Sequence, residues 1–212
     1  MIIYKILFLL FVLIIANIAY KGKTFDKTSW DRIIMLSLWF IVCSSILLIP
    51  ISKNILITFN IASISVFFII TLCWFFAPRL IRLYGKYPSS YFKDKKNNVR
   101  FMAKFELPSI TVKYFEVLFQ QSTFLYLLFI VLTDLPKTEI ILFFTVIITV
   151  IHLGNLLFMD YKWAFFYTLL SIPMAIVFSN LILQGLILLT TSIHLIFYLI
   201  FNARYWFVKK YS

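Results

Sequence analysis

Residues 163–202 read WAFFYTLLSIPMAIVFSNLILQGLILLTTSIHLIFYLIFN, forty positions without a single Asp, Glu, Lys or Arg. A helix rises ~1.5 Å per residue and a bilayer's hydrocarbon core is ~30 Å thick, so one straight helix over this run would be about twice too long. The run must double back. Asn180 with Gln184–Gly185 is the polar, flexible point where it does so, which gives apolar segments at 163–180 and 181–202.

The same ruler of ~20 apolar residues per crossing finds further segments at 2–20, 33–51, 55–77, 112–132 and 140–159. Seven spans result. Composition agrees: the 212 residues are 63% hydrophobic, 20% aromatic and 13% charged, with a mean hydropathy of +0.99, whereas a soluble domain carries about 25% charged residues. A water-soluble globular protein is excluded, and four Gly and six Pro exclude collagen-like and low-complexity chains. Cys43 and Cys73 both lie in apolar runs, where a thiol packs as a small hydrophobe. The expected architecture is an all-α, polytopic helical membrane bundle forming one transmembrane domain over residues 1–212.

Orientation follows from the basic residues, which concentrate in cytoplasmic loops. With seven spans, 17 of the 20 Lys and Arg fall on one side and only Lys5, Lys53 and Lys137 on the other. Six spans would lower that asymmetry to 14 against 6. The N-terminus is therefore expected outside and the C-terminus inside. The first segment reads as a retained helix and not a secretory signal, because Lys21 and Lys23 follow the apolar run and no A-x-A cleavage pattern is present.

The longest polar stretch, 78–111, carries Lys93-Asp94-Lys95-Lys96 among Tyr87, Tyr91, Phe92, Phe101 and Phe105. Beside a bilayer such a mixture contacts anionic lipid headgroups, at ~1 kcal/mol per basic residue. No RNP, KH or zinc-finger pattern accompanies it, so a nucleic-acid partner is not expected. The abundance of Ile, Lys, Asn, Phe and Tyr fits an AT-rich prokaryotic genome, hence a multi-pass protein of a prokaryotic plasma membrane.

A charge inside hydrocarbon costs several kcal/mol, so intramembrane ionisable groups are functional candidates. Of the eight acidic residues only Glu116 falls within a span, and both histidines, His152 and His194, do so as well. At ~100° per residue, three polar stripes emerge: Lys113, Glu116, Gln120 and Thr123 on span four; Thr145, Thr149, His152 and Asn155 on span five; Gln184, Thr191, His194, Tyr198 and Asn202 on span seven. Such stripes avoid lipid by facing one another or a wet cavity. The topology puts all three ionisable groups in the cytoplasmic half of the membrane. One carboxylate and two imidazoles can activate water and stabilise an oxyanion, bind a divalent metal as a His2Glu set, relay protons, or lock helices together.

These residues resemble the CPBP family, also called Abi or type II CAAX prenyl endopeptidases, glutamate-dependent intramembrane proteases. The family's pattern is Glu-Glu-x-x-x-Arg, then Phe-x-x-x-His, then His-x-x-x-Asn. The matching stretches are Phe115-Glu116-Val117-Leu118-Phe119-Gln120-Gln121, Ile148 to His152, and His194 to Tyr198, within residues 112–202 and separated by 36 and 42 positions. One Glu stands in place of two, Gln120 or Gln121 in place of the Arg according to register, Ile148 in place of the Phe, and Tyr198 in place of the Asn. In one register Glu116 takes the catalytic position; in the other Phe115 does, which implies a fold kept without its reaction. The resemblance implies a peptidase without a cofactor, acting on a membrane-associated peptide or protein. Glu116 would deprotonate water with help from His152, and His194 with Tyr198 would bind the oxyanion. Gln120, Gln121 and Asn155 would support them. The alternatives are an inactive scaffold of the same fold or an unrelated small transport or accessory protein. A metal centre is not expected, since no His-Glu-x-x-His or His-x-x-Glu-His spacing occurs.

Overall fold

The computed structural model describes residues 2–18, 30–51, 61–84, 107–157 and 161–211. Among them lie seven main helices: α1 (Ile2–Ile18), α2 (Trp30–Leu48), α3 (Ile61–Tyr84), α4 (Leu107–Tyr126), α5 (Lys137–Leu153), α6 (Tyr161–Leu183) and α7 (Ile187–Tyr211). Short helical turns extend α2 over Ile49–Ile51, α4 over Leu127–Val131 and α5 over Gly154–Leu157. No strand occurs among the described residues. Three stretches, Ile34–Ile51, Ile110–Val131 and Ala164–Leu183, are long and apolar enough to cross a membrane, and Ile2–Ala16, Ile61–Ala77 and Ile187–Ile200 form shorter apolar helices. The chain is all-helical and has the make-up of a membrane protein.

Burial ranks these helices. Within the bundle 72% of the α4 stretch is buried, against 39% for α2 and 33% for α6. α4 is therefore the central rod. α2 lies along it, with Phe40 and Phe119 in ring contact at 5.8 Å. α3 meets the start of α4, where the fully buried Trp74 donates from Nε1 to the Ile110 carbonyl at 3.0 Å. α7 covers another side through Leu195, which packs in one apolar cluster with Tyr114 and Val117. The outer surfaces of α1, α2, α5 and α6 stay apolar and exposed, as in Ile3, Leu38, Leu142 and Leu169.

The long apolar run does turn back, at the Gln184–Gly185 end of the expected stretch and not at Asn180. Asn180 stays helical and its Nδ2 donates to the Ile176 carbonyl. The chain reverses at Gly185, whose φ of 80° lies in the left-handed region. The Leu186 N–H bonds the Leu181 carbonyl and the Gly185 N–H bonds the Ile182 carbonyl, both at 2.9 Å. This paired closure satisfies the last carbonyls of a helix and uses glycine where a Cβ would clash.

Other boundaries also shift. α3 continues to Tyr84 and α4 begins at Leu107, so the polar stretch 78–111 is shorter at both ends than the sequence implies. Leu80, Ile81 and Leu83 prolong the apolar pattern, and Arg79 and Arg82 beside them are good helix formers. The Lys93 to Lys96 cluster lies outside the described residues, while α7 runs past Asn202 to Tyr211. Both cysteines are free; Cys43 is buried and Cys73 exposed.

Replacing Gly185 by Ala should destabilise the bundle by about 1–2 kcal/mol, the cost of a left-handed conformation for an L-residue. The midpoint of detergent-induced unfolding measures it, and an unchanged midpoint would show that the α6–α7 turn has another geometry.

Candidate functional site

α4 builds the site from side chains one helical turn apart. Lys113 and Glu116, only 2% and 4% exposed, are joined by a salt bridge in which Nζ donates to Oε1 at 2.7 Å. Gln120 donates from Nε2 to the same oxygen at 3.1 Å. The spacings i, i+3 and i, i+4 are those that bring helix side chains together. A buried charge must be paired, so Lys113 and Glu116 make each other tolerable in this core.

α7 meets this pair through aromatic faces. The Lys113 ammonium sits 4.3 Å from the centre of the Tyr198 ring, a cation–π arrangement. Tyr198 stacks on His194 one turn earlier, 5.2 Å between centroids. Phe124 of α4 lies nearly parallel to the imidazole at 5.8 Å, and Phe178 of α6 approaches it at 5.4 Å. Gln121 donates from Nε2 to His194 Nδ1 at 2.7 Å. In the neutral ring this leaves the proton on Nε2, where His194 is a donor.

Glu116, Lys113, Gln120, Tyr198, His194 and Gln121 thus form one continuous cluster across the α4–α7 seam. The sequence places all of them but Gln121 in two stripes, and the structure joins the stripes. Lys113, which the sequence sets in the span-four stripe beside Glu116, is buried inside α4 as the partner of Glu116. Phe124 and Phe178 are additions that the sequence alone does not mark, because two phenylalanines among 25 carry no signal.

The α5 stripe behaves differently. Thr145, Thr149 and His152 each bond a carbonyl one turn back in their own helix, to Ile141, Thr145 and Ile148 respectively. A carbonyl only accepts, so His152 donates from Nδ1, at 2.8 Å, and the neutral ring presents Nε2 as a base. Among the described residues no hydrogen bond joins Glu116 to either histidine. Nor does any group of three His, Cys, Asp or Glu side chains there come close enough to hold a metal ion. The remaining α7 positions do not extend the cluster: Thr191 bonds the Ile187 carbonyl and Gln184 is exposed at the turn. The side chains of Asn155 and Asn202 lie outside the described residues.

The arrangement offers a buried carboxylate with one oxygen held by a cation and an amide, and a donor imidazole one helix away. Those are the elements of general-base and oxyanion chemistry. Comparison with known protein families, curated proteins and solved structures finds no match to the chain.

Removing one partner of a buried ion pair costs about 3–5 kcal/mol, and replacing both by apolar residues recovers most of it. Lys113→Met should therefore destabilise strongly, and Lys113→Met with Glu116→Leu should return close to the parent in denaturant unfolding. Equal destabilisation by the single and double variants would contradict the pairing.

Proposed function

We propose that the protein is a glutamate-dependent intramembrane peptidase resembling the CPBP family, a seven-span protein of a prokaryotic plasma membrane with its N-terminus outside. The observation carrying this reading is the Lys113–Glu116 pair joined through Tyr198 to the donor His194, all on the expected motif helices. Lys113 supplies beside Glu116 a positive charge that the motif's arginine position lacks here. The alternating topology is supported by contacts between helix ends. Lys5 near the start of α1 pairs with Asp134 just beyond α4 at 3.8 Å, and Trp74 in α3 meets Ile110 at the start of α4.

In this reading Glu116 takes a proton from water while the water oxygen forms a bond to the peptide carbonyl carbon. The carbonyl electron pair moves to its oxygen, where the His194 Nε2–H donates. Collapse of the tetrahedral intermediate breaks the carbon–nitrogen bond, and the proton from Glu116 goes to the leaving amine. Gln120 and Gln121 position Glu116 and His194 respectively. The substrate is a membrane-associated peptide or protein, and anionic headgroups contact the basic stretch between α3 and α4. Nothing in the residues points to a prenyl group.

A second reading, an inactive CPBP-fold scaffold or a small transport or accessory protein, is favoured by the attachment of His152 to its own helix and by the bonding of Glu116 Oε1 within α4. Cleavage of membrane-embedded peptides by purified protein in lipid decides between them. Glu116→Ala should abolish cleavage, and His194→Ala should slow it about 10²- to 10³-fold, the cost of one oxyanion donor. Parent-like cleavage by these variants would remove the catalytic assignment, and an inactive parent protein would favour the scaffold.

A further inference from the structure

The serine and threonine hydroxyls of the described helices mostly follow one pattern, and two on α2 depart from it. Ser45, Ser122, Thr123, Thr168, Ser179, Thr190 and Ser192 each return their hydroxyl to a carbonyl one turn back. Ser37 and Ser44, 6% and 8% exposed, do not: their hydroxyl oxygens are buried without a hydrogen-bond partner. The second carboxylate oxygen of Glu116, Oε2, is buried in the same condition. Buried polar groups without partners are costly and few in native structures.

The residues that carry these three atoms lie on two helices that pack together, α2 and α4. α2 and α4 run parallel, since the turn Ile49–Ile51 that ends α2 packs on the turn Leu127–Val131 that ends α4. The Phe40–Phe119 contact sets their register. One turn before these two rings lie Ser37 and Glu116; one turn after them lie Ser44 and Thr123. Val112, Glu116, Phe119 and Thr123 recur at spacings of three and four residues, so Glu116 shares the α4 stripe that meets α2. Ser44 faces a hydroxyl already committed to the Phe119 carbonyl. Ser37 instead stands level with a carboxylate oxygen that still requires a donor.

We propose that Ser37 and Glu116 Oε2 hold a single buried water between α2 and α4, and that this is the water Glu116 activates. The hydroxyl and the carboxylate are not directly bonded, and a buried water needs two to four polar partners. With Oε1 occupied by Lys113 and Gln120, Oε2 is the oxygen left to accept a proton. Ser37 acts as a positioning residue, outside the three helices that carry the motif stretches. The role of the water as nucleophile rests on the peptidase reading; its presence between Ser37 and Glu116 does not.

Water-edited solid-state NMR on the protein in lipid bilayers tests the site directly. The chain has three glutamates, Glu106, Glu116 and Glu139, so carboxyl-labelled glutamate gives few signals and Glu116→Gln assigns the one of interest. Magnetisation from water should reach the Glu116 carboxyl rapidly despite its burial. Ser37→Ala should slow that transfer several-fold while leaving Glu139 unchanged, and Ser37→Thr, which keeps the hydroxyl, should preserve it. No transfer to Glu116 in the parent, or transfer indifferent to Ser37→Ala, would overturn the proposal. Transfer that responds to Ser37 in a protein without peptidase activity would uphold the water site and refute only its catalytic use.

Discussion

Everything in this bundle depends on placing a lysine and a glutamate in an apolar interior. Either charge alone at the centre of a bilayer costs about 2.5–3.5 kcal/mol even on permissive scales. Lys113 and Glu116 share that cost by pairing at 2.7 Å, but the pair still cannot face lipid. Their helix must therefore be the most enclosed, which it is, and the surrounding helices must present apolar residues outward and packing residues inward. Phe40 of α2, Trp74 of α3 and Leu195 of α7 are the inward contributions.

The enclosing helices carry their own polar groups with little interhelical bonding. Most threonine and serine hydroxyls are absorbed by carbonyls of the same helix, which lets α5 and α6 pack with apolar contacts. Against that background the polar contacts that do cross between helices stand out. Gln121 to His194, Lys113 to Tyr198, and Thr71 to Tyr114 tie α4 to α7 and α3. Other interhelical ties run from a side chain to a backbone carbonyl, from Trp39 to Ile15, Trp74 to Ile110 and Tyr126 to Lys5, whereas the α4–α7 seam is tied side chain to side chain.

Much of this is legible in sequence for a physical reason: the bilayer ruler makes apolar run length nearly equivalent to helix count. The segments at 2–20, 33–51 and 163–180 each contain most of one helix. Helical periodicity likewise grouped Lys113, Glu116 and Gln120 correctly, since their contacts are local to one helix. The turn at Gln184–Gly185 is legible from its glycine, but the segment boundary drawn at Asn180 falls too early, because polarity locates a helix end less well than the need for positive φ. Partners across helices were harder. His152 has a suitable period but its ring bonds its own backbone, and Phe124 and Phe178 are invisible among so many aromatic residues. Ser37 reads as an ordinary small residue, and nothing in the sequence marks that its hydroxyl is buried without a partner.

The central claim is that Lys113 and Glu116 form one buried pair that organises the α4–α7 seam. A carbon–nitrogen dipolar recoupling measurement between the Glu116 carboxyl and the Lys113 side-chain nitrogen, in lipid bilayers, addresses it most directly. The account predicts strong dephasing, consistent with the 2.7 Å separation of Nζ and Oε1, and its disappearance in Lys113→Met. A Glu116 carboxyl with no coupling to lysine nitrogen would contradict it.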